Sequence, residues 1–229
     1  MKDISFKFLE DSNVIHCIEN LDGRKKSYDI NVSDFMSSLT SAYKTKQKKQ
    51  IFKPIYNPIY KEHDNIKFIH SIQTNKNTYV YVFLRKKSPS PMSFGKDYYS
   101  DVGMPNLLFA IKVVNNIFSR LFIVASDTEH IKENTQLFFY PFTNTPGPET
   151  SACIGSNNIN LNLNNFDNLF LIPNIFFSMP NTIDYFSIER NTKHLEFLAL
   201  LEYLNHKTFD DNLLVECCIY DEWIKSICK

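Results

Sequence analysis

Glycine is scarce in this chain: only five of the 229 residues are glycine, against twenty phenylalanines and twelve tyrosines. This scarcity, with 43% apolar residues, excludes a collagen-like or disordered chain and is typical of a folded protein with a substantial core. The length suits one large domain, or one domain with an added subdomain.

Net charge is also lacking, since 25 basic residues balance 25 acidic ones. This balance argues against a large, uniformly basic face for nucleic acid. One local cluster, Lys44–Lys53, is basic (KTKQKKQIFK). It fits either the solvated end of a helix or a contact with phosphate or another anionic partner. A nucleic-acid-handling protein of a mobile element is a hypothesis that depends on this cluster alone, so nucleic acid is not the expected partner.

We also expect no targeting segment and no membrane-spanning segment. The first residues, MKDISFKFLED, carry charges where a signal peptide needs an apolar run, and the apolar stretches are far shorter than a membrane span. The five cysteines are odd in number and form no Cys-x-x-Cys pair, which argues against a zinc ribbon or a thioredoxin-type site. We expect a cytoplasmic protein that does not bind membranes.

Nucleotide and metal motifs are absent too. The sequence contains neither GxxxxGK[ST] nor GxGxxG, and its six histidines form no recognisable metal-binding or hydrolase pattern. We therefore expect neither a cofactor nor a bound metal.

The few backbone-bending residues crowd around one cysteine. The stretch YPFTNTPGPETSACIGSNN, residues 140–158, holds two of the five glycines, three of the ten prolines and Cys153. Small neighbours leave room for a large partner to approach a thiolate nucleophile. Asn144, nine positions earlier, is a candidate carboxamide donor to an oxyanion. The other interpretation is a buried, inert cysteine beside a surface turn.

The remaining cysteines favour structural roles. Cys17 alternates with apolar residues in a predicted strand, which indicates core packing. Cys217 and Cys218 lie in the apolar run LLVECCIY, are also predicted to be core, and do not easily pair with each other because they are adjacent. Cys228, next to last, is predicted to be exposed.

Strand patterns come first in the chain and helical patterns last. Alternation and turn residues predict strands over Ile4–Leu9, Val14–Ile18, Ser27–Val32, Ile66–Ile72, Tyr79–Leu84, Asn106–Val114, Ile117–Ala125 and Leu137–Pro141. Helical spacing predicts helices from Asp34 to the late forties and over Asn168–Phe177, His194–Asn205 and Leu213–Cys228. The last of these could also be a strand followed by a helix. This order of elements predicts an α+β fold.

Proline and glycine between residues 86 and 104 predict a linker. We therefore expect an N-terminal strand and helix region over residues 1–85 and a core with C-terminal helices over residues 105–229. The two parts could still pack as one domain.

The stretch from Pro105 to Met179, a third of the chain, resembles the PRTRC system protein B family, also described as bacterial ubiquitin-conjugating-enzyme-like family D. The matching features are Pro105, Leu107–Ile111, Leu121–Ala125, Thr135–Phe139, Pro141-Phe142-Thr143-Asn144, Cys153-Ile154-Gly155 and Ile172–Met179. The resemblance implies a ubiquitin-conjugating-enzyme-like antiparallel meander followed by helices, extended at its N-terminus by a β-hairpin and helix.

The same resemblance implies a bacterial transferase that carries a ubiquitin-like protein as a thioester on Cys153 and passes it to an amine, with Asn144 as oxyanion donor. Family members are associated with an activating-enzyme-like, a ubiquitin-like and a metallopeptidase-like protein. Ubiquitin-like and activating-enzyme-like proteins are thus the expected partners, and the acceptor is unidentified.

The chain departs from the family pattern at one motif. The eukaryotic relatives place His-Pro-Asn shortly before the catalytic cysteine, where this chain has Phe142-Thr143-Asn144. The missing histidine favours an alternative, a catalytically inactive adaptor that binds a ubiquitin-like or activating-enzyme-like partner. The retained cysteine among small residues favours the enzyme.

Overall fold

The computed structural model describes residues 2–8, 13–21, 24–37, 54–55, 62–63, 65–146, 150–155, 159 and 161–229. The chain divides into two compact units, Met1–Ile51 and Phe52–Lys229. Residues 44–53, the predicted basic cluster, lie outside the described residues.

The first unit contains a three-stranded antiparallel sheet in the order β1-β2-β3. Its strands are β1 (Lys2–Phe8), β2 (Val14–Leu21) and β3 (Arg24–Asn31), which confirms the predicted hairpin and third strand. Residues 32–37 are helical (α1) and begin the predicted helix two residues early, while its later residues lie outside the described ones. Ile15 and Cys17 are buried, which confirms the core position of Cys17.

The second unit is built on an eight-stranded sheet whose order is β13-β12-β11-β10-β7-β6-β4, with β5 also paired to β6. Its pairings are antiparallel. The strands are β4 (Pro54–Ile55), β5 (Glu62–His63), β6 (Ile66–Asn75), β7 (Thr78–Arg85), β10 (Asn106–Val114), β11 (Ile117–Ser126), β12 (Gln136–Phe138) and β13 (Glu216–Ile219). The β6–β7 and β10–β11 hairpins are confirmed, and the pairing of β7 with β10 joins them into one sheet, which the sequence did not predict.

Helices follow the strands. They are α2 (Leu171–Phe177), α3 (Phe197–Leu204) and α4 (Tyr220–Ile227), with short 3₁₀ turns at Phe166–Phe170, Ile188–Arg190 and Asp211–Leu213. In α3 the buried residues are Phe197, Leu200, Leu201 and Leu204, the spacing that puts one apolar face on the core. The protein is therefore a mixed α+β structure with mostly antiparallel sheets. Among the described residues, every helix is too short or too polar to span a membrane.

The large sheet is buried on both faces. Along β10, Leu107, Phe109 and Ile111 belong to one apolar cluster, which includes residues of α2 and α3. Leu108 and Ala110 belong to a second cluster, which includes residues of α4. Successive side chains of a strand point to opposite faces, so an apolar run such as LLFAI is required wherever both faces are covered.

Residues 86–104 form a hairpin rather than the predicted linker. Strands β8 (Ser88–Phe94) and β9 (Asp97–Met104) pair as a separate two-stranded sheet. Met92, Val102 and Met104 are buried in the core, which gives the hairpin an apolar anchor. Proline is tolerated here because a two-stranded ribbon consists of edge strands.

Candidate functional site

The segment that carries Cys153 lies beside the part of β11 that β12 leaves unpaired. Ile123 N–H donates to the Thr150 carbonyl over 2.8 Å, and Ala152 N–H donates to the Leu121 carbonyl over 2.7 Å. These two bonds make residues 150–152 a short antiparallel extension beside β11, with Ser151 opposite Phe122. Cys153 follows immediately and is half-buried. Cys153 therefore directly follows a segment that is hydrogen-bonded to β11.

The structure brings the two predicted site residues together through the backbone. Cys153 N–H donates to the Asn144 carbonyl over 2.7 Å. Asn144 has φ +66°, a left-handed conformation that asparagine tolerates better than most residues. Its side-chain amide donates to the Pro180 carbonyl over 3.2 Å, and the residue is buried. Asn144 thus shapes the turn that faces Cys153.

Phe142, two residues before Asn144, is a core residue. It is 0% exposed, and its ring centroid lies 5.4 Å from that of Tyr140 and 6.5 Å from that of Phe209. Aromatic packing of Phe142 therefore anchors the loop that contains Asn144 to the core.

The loop before Cys153 is tied to the segment after α2. The Thr143 hydroxyl donates to the Thr182 carbonyl. The Arg190 guanidinium donates to the Thr145 hydroxyl over 2.6 Å and to the Tyr185 carbonyl over 3.4 Å. Arg190 is buried, and this burial lowers its pKa. Side chains distant in sequence therefore hold the loop that contains Asn144.

Thr150 joins the cysteine segment to the last helix. Trp223 Nε1–H donates to the Thr150 hydroxyl over 2.8 Å, and both residues are buried. Thr150 has φ +53°, which is a strained conformation for a β-branched residue. A strained backbone conformation persists only where several contacts hold it in place. Here the hydrogen bond from β11 to the Thr150 carbonyl and the hydrogen bond from Trp223 to the Thr150 hydroxyl hold it.

A cavity of about 590 Å³ lies beside this junction. Its wall combines cationic, aromatic and thiol side chains: Lys112, Arg120, Phe122, Phe139, Thr150, Cys217, Cys218, Glu222, Trp223, Ser226, Ile227 and Lys229. Cys217 and Cys218 are half-buried rather than fully buried core residues, although Cys218 packs against the apolar cluster that includes α4. Sequence reasoning missed this site because the apolar run LLVECCIY does not show which of its faces is open.

A β-bulge explains why both thiols reach the cavity. In the pairing of β12 with β13, Leu137 faces Cys218 and Phe138 faces Glu216, so Cys217 is the extra residue. A bulge re-aims side chains that a regular strand would send to opposite faces. The two sulfur atoms lie 3.6 Å apart, with the Cys217 thiol donating to Cys218.

The two thiols have different electrostatics. The hydrogen bond from Cys217 lowers the pKa of Cys218, against burial and the nearby Glu222 carboxylate, which raise it. That same bond is broken if Cys217 ionises, so it raises the pKa of Cys217, an effect that the positive charge of Arg190 opposes. Cys218 is thus the better thiolate of the pair.

The last cysteine also differs from the sequence prediction. Cys228 is 5% exposed rather than open to solvent. Burial raises its pKa to about 11, although Lys112 opposes that rise. Cys228 belongs to the apolar cluster of α4 and is a poor nucleophile at neutral pH.

Among the residues described, no group of three or more histidine, cysteine or acidic side chains is arranged to hold a metal ion. Comparisons of the chain with models of protein families, with curated proteins and with solved structures give no match.

Proposed function

We propose that this protein is a ubiquitin-conjugating-like carrier, which accepts a ubiquitin-like protein as a thioester on Cys153 and transfers it to an amine. The observation that carries the proposal is the placement of Cys153. Cys153 is half-buried and directly follows a segment that is hydrogen-bonded to β11. An acyl carrier needs a nucleophile that is accessible yet held in a defined position.

The chemistry requires only exchange of one thioester for another, followed by attack of an amine. The Cys153 thiolate attacks the thioester carbonyl on the activating protein's cysteine, and that cysteine leaves as a thiolate. In the second step the acceptor amine attacks the new thioester and Cys153 leaves. Both partners are proteins, which suits an open site beside small residues such as Ser151, Ala152 and Gly155.

Two observations support an electrostatic role for the loop that faces Cys153. The Asn144 turn is already positioned by the bond from Cys153 N–H and by its own bond to Pro180. A carboxamide nitrogen has two hydrogens, so donation to Pro180 uses one and the other can point at an oxyanion. We accordingly assign Asn144 first to positioning of the loop and second to stabilisation of the oxyanion.

The inactive adaptor is the second candidate, and Phe142 is the observation that favours it. A buried phenylalanine at the histidine position means that the loop is maintained without one of the residues usual in active relatives. An adaptor would bind the ubiquitin-like or activating-enzyme-like partner and form no covalent bond.

A thioester assay tests the proposal. The full chain is mixed with ATP, an activating-enzyme-like protein and a ubiquitin-like protein, and gels are run with and without reductant. We expect a reductant-sensitive adduct that Cys153→Ala abolishes and Cys217→Ala retains. Cys153→Ser should give an oxygen ester that resists reductant.

Asn144→Ala separates loop positioning from catalysis, because amine transfer and thermal stability are measured on the same variant. If the variant loses transfer but keeps the thioester and its thermal stability, Asn144 has the oxyanion role. If it loses all three, Asn144 has a structural role.

Partner binding without any adduct in the thioester assay would replace the carrier with the adaptor. An adduct that survives Cys153→Ala would overturn the assignment of Cys153.

A further inference from the structure

The adjacent thiols of Cys217 and Cys218 are not used in the thioester chemistry proposed above. Their sulfur atoms lie 3.6 Å apart, and both line the cavity of about 590 Å³. We propose that this pair is a thiol–disulfide exchange site for a small, anionic disulfide, with Cys218 as the attacking thiol and Cys217 as the resolving thiol.

The bulge in β13 allows the two adjacent thiols to line the same cavity. In a regular strand Cys217 and Cys218 would lie on opposite faces and could not act on the same molecule. Cys217 is instead the unpaired residue between the partners of Phe138 and Leu137. Bulges are over-represented next to active sites, where they re-aim a side chain.

The hydrogen bond between the thiols distinguishes their roles. Cys217 donates and Cys218 accepts, so negative charge is better stabilised on Cys218. The thiolate is the form that attacks a disulfide, which makes Cys218 the entry point. Cys217 keeps its proton until the second step and lies within contact distance of the sulfur that it must then attack.

The charges of the cavity select the disulfide. Lys112, Arg120 and Lys229 contribute three cations to the wall, against one carboxylate from Glu222. Arg190 adds a further positive charge near Cys217. Cavities lined mainly by one sign of charge concentrate ligands of the other sign. A disulfide that bears carboxylates therefore fits the site better than a cationic one.

The reaction balances without any bound cofactor. The Cys218 thiolate bonds to one sulfur of the small disulfide, whose S–S bond breaks and whose other half leaves and takes up a proton. Cys217 then loses its proton and attacks Cys218 Sγ, forming the Cys217–Cys218 disulfide and releasing the second half as a thiol. Two electrons pass from the protein dithiol to the small disulfide, which is the oxidant.

The product is expected to be easily reversed. Adjacent Cα atoms are about 3.8 Å apart across a trans peptide, closer than the roughly 4.4 Å lower limit of ordinary disulfides. Such strain makes a disulfide more reducible. Reduced thiol should therefore restore the dithiol quickly.

The test compares two disulfides of opposite charge on the full chain. Oxidised glutathione is the anionic probe and cystamine is the cationic probe, and peptide mapping by mass spectrometry follows residues 208–225. We expect either a mixed disulfide at Cys218 or loss of two hydrogens from the pair, about tenfold faster with oxidised glutathione than with cystamine. Reduced glutathione should reverse both products.

Matched variants assign the roles of the two cysteines and of Arg120. Cys217→Ser should trap the mixed disulfide on Cys218, whereas Cys218→Ser should slow modification of the pair by about tenfold or more. Arg120→Gln should reduce the preference for the anionic probe, while Lys76→Gln, an exposed charge in the β6–β7 turn, should leave it unchanged. All variants are checked for an unchanged melting temperature.

Equal rates with the two probes, unaffected by Arg120→Gln, would overturn the assignment of an anionic substrate. Modification of the pair only in the urea-unfolded chain would overturn the site itself. If either cysteine variant fails to fold, the wild-type chain and Arg120→Gln still decide the result. The measurement is repeated in Cys153→Ala, so failure of the thioester proposal leaves this one independently tested.

Discussion

At the scale of single residues, two of the five glycines occupy positions where a side chain would be unfavourable. At Gly103 in β9, an added Cβ would lie 2.2 Å from the Lys207 carbonyl oxygen and 2.8 Å from Phe209 N. At Gly95, between β8 and β9, the space is open, but φ is +59°. The first glycine is required by close backbone approach and the second by backbone conformation.

We expect Gly103→Ala to lower the free energy of unfolding by about 3 kcal/mol, because a backbone carbonyl cannot move aside as a flexible side chain can. Gly95→Ala is the matched control and should cost about 1 kcal/mol, the ordinary penalty of a left-handed alanine. Urea denaturation of both variants measures the difference. Equal losses would show that β9 and the chain at residues 207–209 are not in close contact.

The Asn115–Asn116 turn shows what a residue pattern can predict directly. The sequence places a turn there between two apolar runs, and the structure gives φ +51° and +61° at these positions. Two left-handed residues make the tight turn whose twist matches antiparallel strands, and asparagine accepts that conformation. Local chemistry was sufficient here because turn geometry depends on neighbouring residues.

At the scale of elements, α4 connects the cysteine segment to the second apolar cluster. Tyr220, Trp223 and Ile227 form its buried face, and Trp223 also donates to the Thr150 hydroxyl. The sequence predicted a helix here but not its partner, because Thr150 and Trp223 are 73 positions apart. Contacts over such a separation depend on topology, which residue patterns do not reveal.

A double-mutant cycle measures this link. Trp223→Phe and Thr150→Val each remove one partner of the bond while keeping most of the volume, and Thr150→Val retains a β-branched residue at the strained position. Either substitution alone already removes the hydrogen bond between Trp223 and Thr150. We therefore expect the loss of unfolding free energy in the double variant to differ from the sum of the two single losses by about 1 kcal/mol. Strict additivity would contradict the Trp223–Thr150 contact.

At the scale of the whole molecule, the predicted division near residue 85 differs from the compact units. Strands β6 and β7 belong to the same sheet as β10 and β11. Their side chains, including Val80, Val82 and Phe83, contribute to the two apolar clusters beside β10. A division between β7 and β8 would therefore separate strands that share a core.

Truncation tests the boundary. We expect residues 52–229 to unfold in one cooperative urea transition, because they retain the complete large sheet. Residues 86–229 should give no such transition. Without β6 and β7, both apolar clusters lose side chains and one edge of β10 has unpaired backbone groups. Circular dichroism follows both chains. Cooperative unfolding of residues 86–229 would restore the boundary predicted from proline and glycine content.

Outside residues 86–104, the sequence by itself determined the order of the main strands and helices, the Asn115–Asn116 turn, the α+β class and the presence of a cysteine among small residues. Each depends on periodicity or on local backbone preference. Only the tertiary structure decided that residues 86–104 form a hairpin, that Asn144 faces Cys153, and that Cys217 and Cys218 open into one cavity. These features depend on a bulge, a strained threonine and contacts between distant segments, whose energies come from packing rather than from neighbouring residues.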